Sequence, residues 1–401
     1  MKTEKSLHKD KSPELADVFR IHGEEYQNNN NIPGEYYKIM FHITHCRTSK
    51  MGGHILECNE CDFHKNAYNS CRDRHCPKCQ TMVKEKWLND RKAELLPCGY
   101  FHNVFTIPHL LNPIILCNRT ICFNILFAAV NETLKVFAED PQWRLRGSLG
   151  FIGVLHTWSQ TLIDHFHLHC LIPAGVLSFD KKKWNPARKG KKKYLFKITS
   201  LAKEFKKRYL KKLKQAYEDD LLIFPGNTAP YSVKENFNDL IIQAEDKKWV
   251  AYTKRPFAGP EQVLEYLGRY THRVAITNNR IRKLENGQVT FTYRDRKDNN
   301  EVKEMPLSAG EFIRRFLLHV LPHGFMKIRY YGFLAHTNKK ESIPLLRKLI
   351  DPQAKSPEKV EETIHEMMLR ITGTDITLCP KCNKGKLVKI KKLPGMVMNS
   401  S

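Results

Sequence analysis

The chain is short of negative charge: its 401 residues carry 42 Asp and Glu against 67 Lys and Arg, a formal +25 at neutral pH. It also offers no long apolar run, and no hydrophobic signal region follows Met1-Lys2-Thr3-Glu4-Lys5. Together these shortages favour a polyanionic partner, nucleic acid rather than membrane, and a soluble intracellular protein. No helical His-Glu-x-x-His arrangement is present, which weighs against a metalloprotease of that kind. Without a signal region, twelve cysteines, six of them in Cys-x-x-Cys pairs, read as reduced metal ligands rather than disulfides. The length asks for two or three domains.

What is present centres on Asp164-His165-Phe166-His167-Leu168-His169-Cys170-Leu171-Ile172-Pro173. As a β-strand it puts His165, His167 and His169 on one face and Phe166, Leu168 and Cys170 on the other, towards a core. Three imidazoles on one face make a metal platform; the plainer reading is a polar face meeting solvent. Residues 148–160 read as an antiparallel neighbour, which either sets His156 beside the histidine face or leaves it an ordinary strand residue. Residues 100–108 read as a further strand, and residues 82–96 and 110–140 as helices.

Between residues 42 and 80 lie Cys46, Cys58, Cys61, Cys71, Cys76 and Cys79 with five histidines interleaved. Cys58-x-x-Cys61 and Cys76-x-x-Cys79 have the spacing of one four-thiolate zinc site, each pair a turn that aims two sulfurs at one ion. Cys71 and His75, with Cys46 or His54, offer a second site; otherwise Cys71 is a small buried hydrophobe and His75 a phosphate contact. Cys379-x-x-Cys382 is half a zinc site, completed by spare N-terminal residues or a second chain, or unmetallated.

Residues 203–214 form a cationic amphipathic helix whose Lys206 and Lys207 suit a nucleic-acid backbone or simply a solvated face. Asn286-Gly287 between alternating segments signals a hairpin that extends or flanks the central sheet. After Gly259-Pro260, residues 261–275 read as a helix. Val263, Leu264, Leu267, Thr271 and Val274 gather on one flank, and Tyr266, Arg269 and Arg273 on another. Tyr270 lies about 40° from Tyr266. A phenol of pKa about 10 is a poor nucleophile at neutral pH, but guanidinium charge and a metal-polarised phosphate lower the barrier to its attack on a phosphodiester. The resulting tyrosyl-DNA link keeps the bond energy for rejoining. Gly268, costly in a helix, implies close approach of DNA or a neighbouring strand.

The Cys46-Arg47-Thr48 and Gly52-Gly53-His54 segments, Tyr68-Asn69-Ser70-Cys71-Arg72-Asp73-Arg74-His75-Cys76-Pro77-Lys78-Cys79, the histidine strand and Tyr266-Leu267-Gly268-Arg269-Tyr270-Thr271-His272-Arg273 arrive in order. In this the chain resembles rolling-circle insertion-sequence transposases of the insertion sequence ninety-one type, members of the HUH endonuclease class, from about residue 41 to 336. The resemblance implies an α+β protein: a ferredoxin-like HUH nuclease core whose antiparallel sheet carries His167-Leu168-His169, plus an N-terminal zinc-ribbon-like domain. It implies a divalent ion, magnesium or manganese, although imidazoles by themselves favour zinc, nickel or copper. The third ligand is His165 by spacing or His156 by strand adjacency. Tyr266, with Tyr270 in a successive step, takes the 5′ phosphate of single-stranded DNA and leaves a 3′ hydroxyl; Arg269 and Arg273 lie beside the DNA. The expected division is 1–95 (zinc-binding, DNA-recognising), 96–336 (nuclease, with 181–249 as a basic insertion) and 337–401 (helical linker and Cys-x-x-Cys segment). The implied place of action is the prokaryotic cytoplasm, at the nucleoid. A plasmid or phage replication initiator of the same class, and a non-catalytic zinc-ribbon DNA-binding regulator, are the alternatives.

Overall fold

The computed structural model describes residues 12–143, 145–187, 195–257, 262–263, 268, 274–295, 297–353 and 361–396. In chain order, helices α1 (Leu15–Asn29) and α2 (Gly34–His45) lead to a hairpin of β1 (Gly53–Cys58) and β2 (His64–Tyr68) and to helix α3 (Pro77–Lys92). Pro77 sits at the helix start, where its missing N–H costs nothing, so α3 begins five residues before the expected Met82. Next come β3 (Tyr100–Thr106), α4 (Asn112–Cys117), α5 (Arg119–Glu139), β4 (Phe151–Trp158), β5 (Asp164–Pro173), β6 (Gly175–Leu177) and β7 (Trp184–Pro186). Helices α6 (Ile198–Glu218) and α7 (Lys234–Asp246) precede β8 (Val250–Phe257). Strands β9 (Ile281–Glu285), β10 (Gln288–Asp295) and β11 (Glu301–Ser308), helix α8 (Ala309–Leu318), β12 (Ile328–Tyr331), α9 (Lys339–Ile350), α10 (Ile364–Thr372) and β13 (Leu387–Leu393) complete the order.

Strands β12-β4-β5-β3-β8 form a five-stranded sheet, antiparallel throughout. Alternation makes it two-faced. Phe166, Leu168, Cys170 and Ile172 of β5 join Phe105, Phe151 and Leu155 in the largest core, covered by α5 and α6. His156, His167 and His169 have the opposite parity, on the face where Tyr100, Val154 and Leu171 pack with Leu95, Leu96, Val263, Phe333 and Leu346.

Three features bear on the sequence reading, and the first departs from it. Helix α5 is long and apolar enough to cross a bilayer, so a bilayer-length apolar segment does exist; its Cys122, Phe123, Leu126, Phe127 and Val130 are buried beneath the sheet, as in the core helix of a globular protein. The basic insertion at 181–249 is structural: α6 buries Leu201, Phe205, Tyr209 and Leu213 at near four-residue spacing, and Phe205 meets Phe105 edge to face at 5.2 Å. Without α6 the apolar face of the sheet would lie open. The hairpin forms at Asn286-Gly287, both residues with positive φ, and of the two expected arrangements it takes the flanking one, joining β11 in a separate three-stranded sheet. That sheet and α8 share a second core with α1 and α2, drawing on both sides of the expected boundary at residue 95.

His319, just past α8, ties this second core to the connection between β4 and β5. Its Nε2–H donates to the Leu162 carbonyl at 3.0 Å, and Thr157 Oγ1 lies 3.5 Å from Nδ1. Burial pushes its pKa down to about 4. Below the unfolded value of about 6.5 the unfolded chain takes up a proton that the folded chain refuses, so stability falls as pH drops from about 6.5 towards 4, by about 3 kcal/mol. Urea unfolding at pH 7 and pH 4.5 checks this: His319→Gln is less stable at pH 7 but loses about 2 kcal/mol less than the native chain on acidification.

Candidate functional site

The register of β4 against β5 builds the histidine centre. His156 lies directly opposite His167, and His169 is two residues further along β5 on the same face. The three residues offer ring nitrogens that all lie within 4.8 Å of one another. Hydrogen bonds to Nδ1 settle which nitrogens can ligate. The His167 Nδ1–H donates to the His165 carbonyl at 2.7 Å, which leaves the Nε2 lone pair as the ligand. His169 Nδ1 lies 2.8 Å from Nε2 of buried His102 on β3. In the tautomer where His169 donates and His102 accepts, Nε2 of His169 also becomes a ligand. His102 was not singled out from the sequence, although its parity with Tyr100 and Val104 on β3 sets it on the histidine face.

His165 is not part of the triad. The register sets the β4 histidine, His156, opposite His167 and not His165, whose Nδ1 meets His109 Nε2 at 3.2 Å at the exposed end of the strand. Of the two third-ligand readings, strand adjacency and not spacing describes the geometry. The donor set is three imidazole nitrogens, which by themselves suit zinc, nickel or copper before magnesium or manganese.

Tyr266, Tyr270, Arg269 and Arg273 lie outside the described residues. Their described neighbours Gln262, Val263 and Gly268 are helical. Val263 is fully buried in the core that contains Val154 and Leu171, on the histidine side of the sheet. A Cβ at Gly268 would come 2.9 Å from Leu88 Cδ1 and 3.1 Å from Lys84 Cε, so the close approach that this glycine permits is to α3. Lys206 and Lys207 are on α6, across the sheet from the histidines; Lys206 donates to the Glu245 carbonyl, and Arg208 and Lys212 pair with Glu132.

The cysteines divide otherwise than their spacing suggests. Cys76 and Cys79 converge with Cys46 and Cys71, whereas Cys58 and Cys61 converge with Cys379 and Cys382. A single site from Cys58, Cys61, Cys76 and Cys79 is therefore not formed. The reason is the β1–β2 hairpin, which holds Cys58 and Cys61 at its tip and Cys46 and Cys71 at its base, roughly 17 Å apart at the rise of a strand. In the basal tetrad Cys79 Sγ lies 3.5 Å from both Cys46 Sγ and Cys71 Sγ. Zn–S bonds of about 2.3 Å in a tetrahedron give sulfur edges of about 3.8 Å, so modest expansion admits the ion.

His75 is not a ligand of this tetrad. Its Nδ1–H donates to Asp73 Oδ1 at 3.0 Å and its Nε2 accepts the Leu321 N–H at 3.3 Å. Burial works against ionised Asp73, yet hydrogen bonds from the His75 ring and backbone and from His42 hold its carboxyl down at about 2. Arg74 donates to the carbonyls of Leu321, Pro322 and Phe325 at 3.0, 2.7 and 2.6 Å. Asp73 and Arg74 thus clamp the segment that leads into β12 at the edge of the histidine sheet; in the sequence they stood out only as part of a motif.

Residues 150–342 match a family model described as "Putative transposase", and residues 18–107 match one described as "Transposase zinc-binding domain". A protein carrying the first description, y4qJ of Sinorhizobium fredii, is 39% identical over 387 residues, 96% of each chain. The transposase for insertion sequence element IS801 of Pseudomonas savastanoi pv. phaseolicola is 28% identical over 298 residues, 73% of this chain and 68% of its own length. No solved structure matches the chain. With its relatives, its zinc-binding domain and its ordered motifs all in agreement, the chain belongs to the insertion-sequence transposases of the insertion sequence ninety-one type.

Proposed function

We propose that this transposase nicks single-stranded DNA at the ends of its element through a 5′-phosphotyrosine intermediate and transfers the held strand, as in rolling-circle transposition. The observation that carries the reading is one shared sheet face: it bears His156, His167 and His169 and also receives Val263, three residues before Tyr266. The five-stranded antiparallel sheet with helices beneath it is read as a ferredoxin-like HUH core. Cys46, Cys71, Cys76 and Cys79 hold the zinc of the zinc-binding domain. The DNA partner is the single-stranded element end and its target, in the prokaryotic cytoplasm at the nucleoid.

A divalent ion held by the three imidazoles would polarise the scissile phosphate. Tyr266 gives up its phenolic proton and its oxygen bonds to phosphorus; the bond to the 3′ oxygen breaks, and that oxygen takes up a proton. Arg269 and Arg273 favour the phenolate and contact the phosphate backbone. Tyr270 takes the second strand in the transfer step. His102 is a positioning residue: it holds His169 in the ligating tautomer and touches no DNA.

The test is a covalent adduct on a single-stranded copy of the element's own end with Mn²⁺. Tyr266→Phe abolishes the first adduct while DNA binding persists, and Tyr270→Phe spares cleavage but blocks transfer. No adduct from the unmutated protein with either Mn²⁺ or Mg²⁺ refutes the reading, and full adduct from Tyr266→Phe moves the nucleophile. Separately, His102→Ala weakens Mn²⁺ binding, read by titration calorimetry, by about 10–100-fold, and His102→Gln restores part of it through the amide oxygen.

A further inference from the structure

We propose that Cys58, Cys61, Cys379 and Cys382 bind a second zinc ion, which clips the C-terminal segment of the chain to its N-terminal hairpin. The inference is independent of the nuclease reading, and half of its ligands lie outside the segment matched to the zinc-binding domain.

The four sulfurs lie within 4.8 Å of one another, and two pairs cross between the segments: Cys58 Sγ to Cys382 Sγ and Cys61 Sγ to Cys379 Sγ, each 3.7 Å. These separations match the roughly 3.8 Å edge of a tetrahedral four-thiolate zinc site. Each Cys-x-x-Cys turn also points a backbone donor at one of its own sulfurs. Glu60 N–H donates to Cys58 Sγ at 3.4 Å and Gly385 N–H to Cys382 Sγ at 3.3 Å, an arrangement that stabilises thiolates and so favours a cation.

The two turns are fitted to one another through their backbones. Asn59 N–H donates to the Lys386 carbonyl at 3.1 Å, and Lys386 N–H donates to Asn59 Oδ1 at 2.7 Å. Gly385 is needed for the seat, since a Cβ there would fall 2.4 Å from Cys58 Sγ. Beyond the turns, β13 pairs antiparallel with β1 from Cys58↔Leu387 to Gly53↔Leu393. Where the strands end, a Cβ at Gly52, whose φ is +66°, would lie 2.7 Å from Gly395 N.

Apolar packing does not explain the contact. β13 is exposed along most of its length, and only its end residues Leu387 and Leu393 are half-buried. Four converging thiols with so little core around them are stabilised by a soft cation that binds all four sulfurs at once, and each thiol gives up its proton on binding.

The experiment measures zinc on the full chain, by native mass spectrometry with elemental analysis. Two thiolate-bound zinc ions per chain are expected, counted after subtracting any zinc that His167→Ala/His169→Ala removes from the imidazole centre. Cys379→Ser/Cys382→Ser halves the bound zinc, and amide exchange at residues 387–393 then rises; Cys46→Ser/Cys71→Ser removes the other ion. Should a variant fold poorly, ¹¹³Cd NMR of the unmutated chain substitutes: two signals in the four-thiolate range are expected, and one refutes the proposal. A single zinc in the unmutated chain, or two retained by the Cys379→Ser/Cys382→Ser variant, also overturns it. So does a second zinc present only in a dimer, since the ligands would then come from a second copy.

Discussion

The register between β4 and β5 is the constraint on which the functional site depends. Side chains alternate strictly along a strand, so one pairing sets His156 across from His167 while sending Phe166, Leu168 and Cys170 into the largest core. A slip by one residue would exchange the two sets, burying imidazoles under α5 and α6 and exposing a phenylalanine and a leucine. The apolar face therefore enforces the geometry of the polar one. α5 and α6 cover that apolar face, so two helices that carry no proposed chemistry help keep the histidines in place.

The zinc-binding region is attached to this sheet by polar contacts as well as by the second core. From the tetrad, α3 runs to Leu88 and Lys84, against which Gly268 is pressed, while Asp73, Arg74 and His75 engage the segment entering β12. Three backbone carbonyls accepting from one guanidinium are well suited to a loop, whose own acceptors would otherwise be left without partners. The arrangement joins the zinc-binding region to the histidine face through one helix and one arginine.

Much of this was legible in the sequence, and the failures have a common cause. Period-two alternation found β5 and its neighbour, and four-residue spacing found α6, because both signals are local. Asn286-Gly287 marked its hairpin for the same reason. Partners distant in sequence were not legible. Nothing in the spacing of Cys58, Cys61, Cys76 and Cys79 reveals that a hairpin separates the pairs; that Cys379 and Cys382 could take N-terminal partners was legible, but not which ones. The choice between His156 and His165 rested on the register of β4 against β5, which no composition reports. The run at 181–249 offered no motif, so its structural content, the buried stripe Leu201, Phe205, Tyr209 and Leu213 against the sheet, was not assigned to the central core.

The pairing of β1 with β13 has a consequence for the timing of synthesis. Cys58 and Cys382 are separated by 324 positions. At the usual rate of translation the hairpin waits roughly 15–65 s for its third strand. During that interval the N-terminal hairpin is an open edge with two unsatisfied cysteines, exposed to any strand or metal it meets. The last sheet to close belongs to the part of the chain made first, so a ribosome that stalls before residue 379 releases a transposase whose opening hairpin is unfinished.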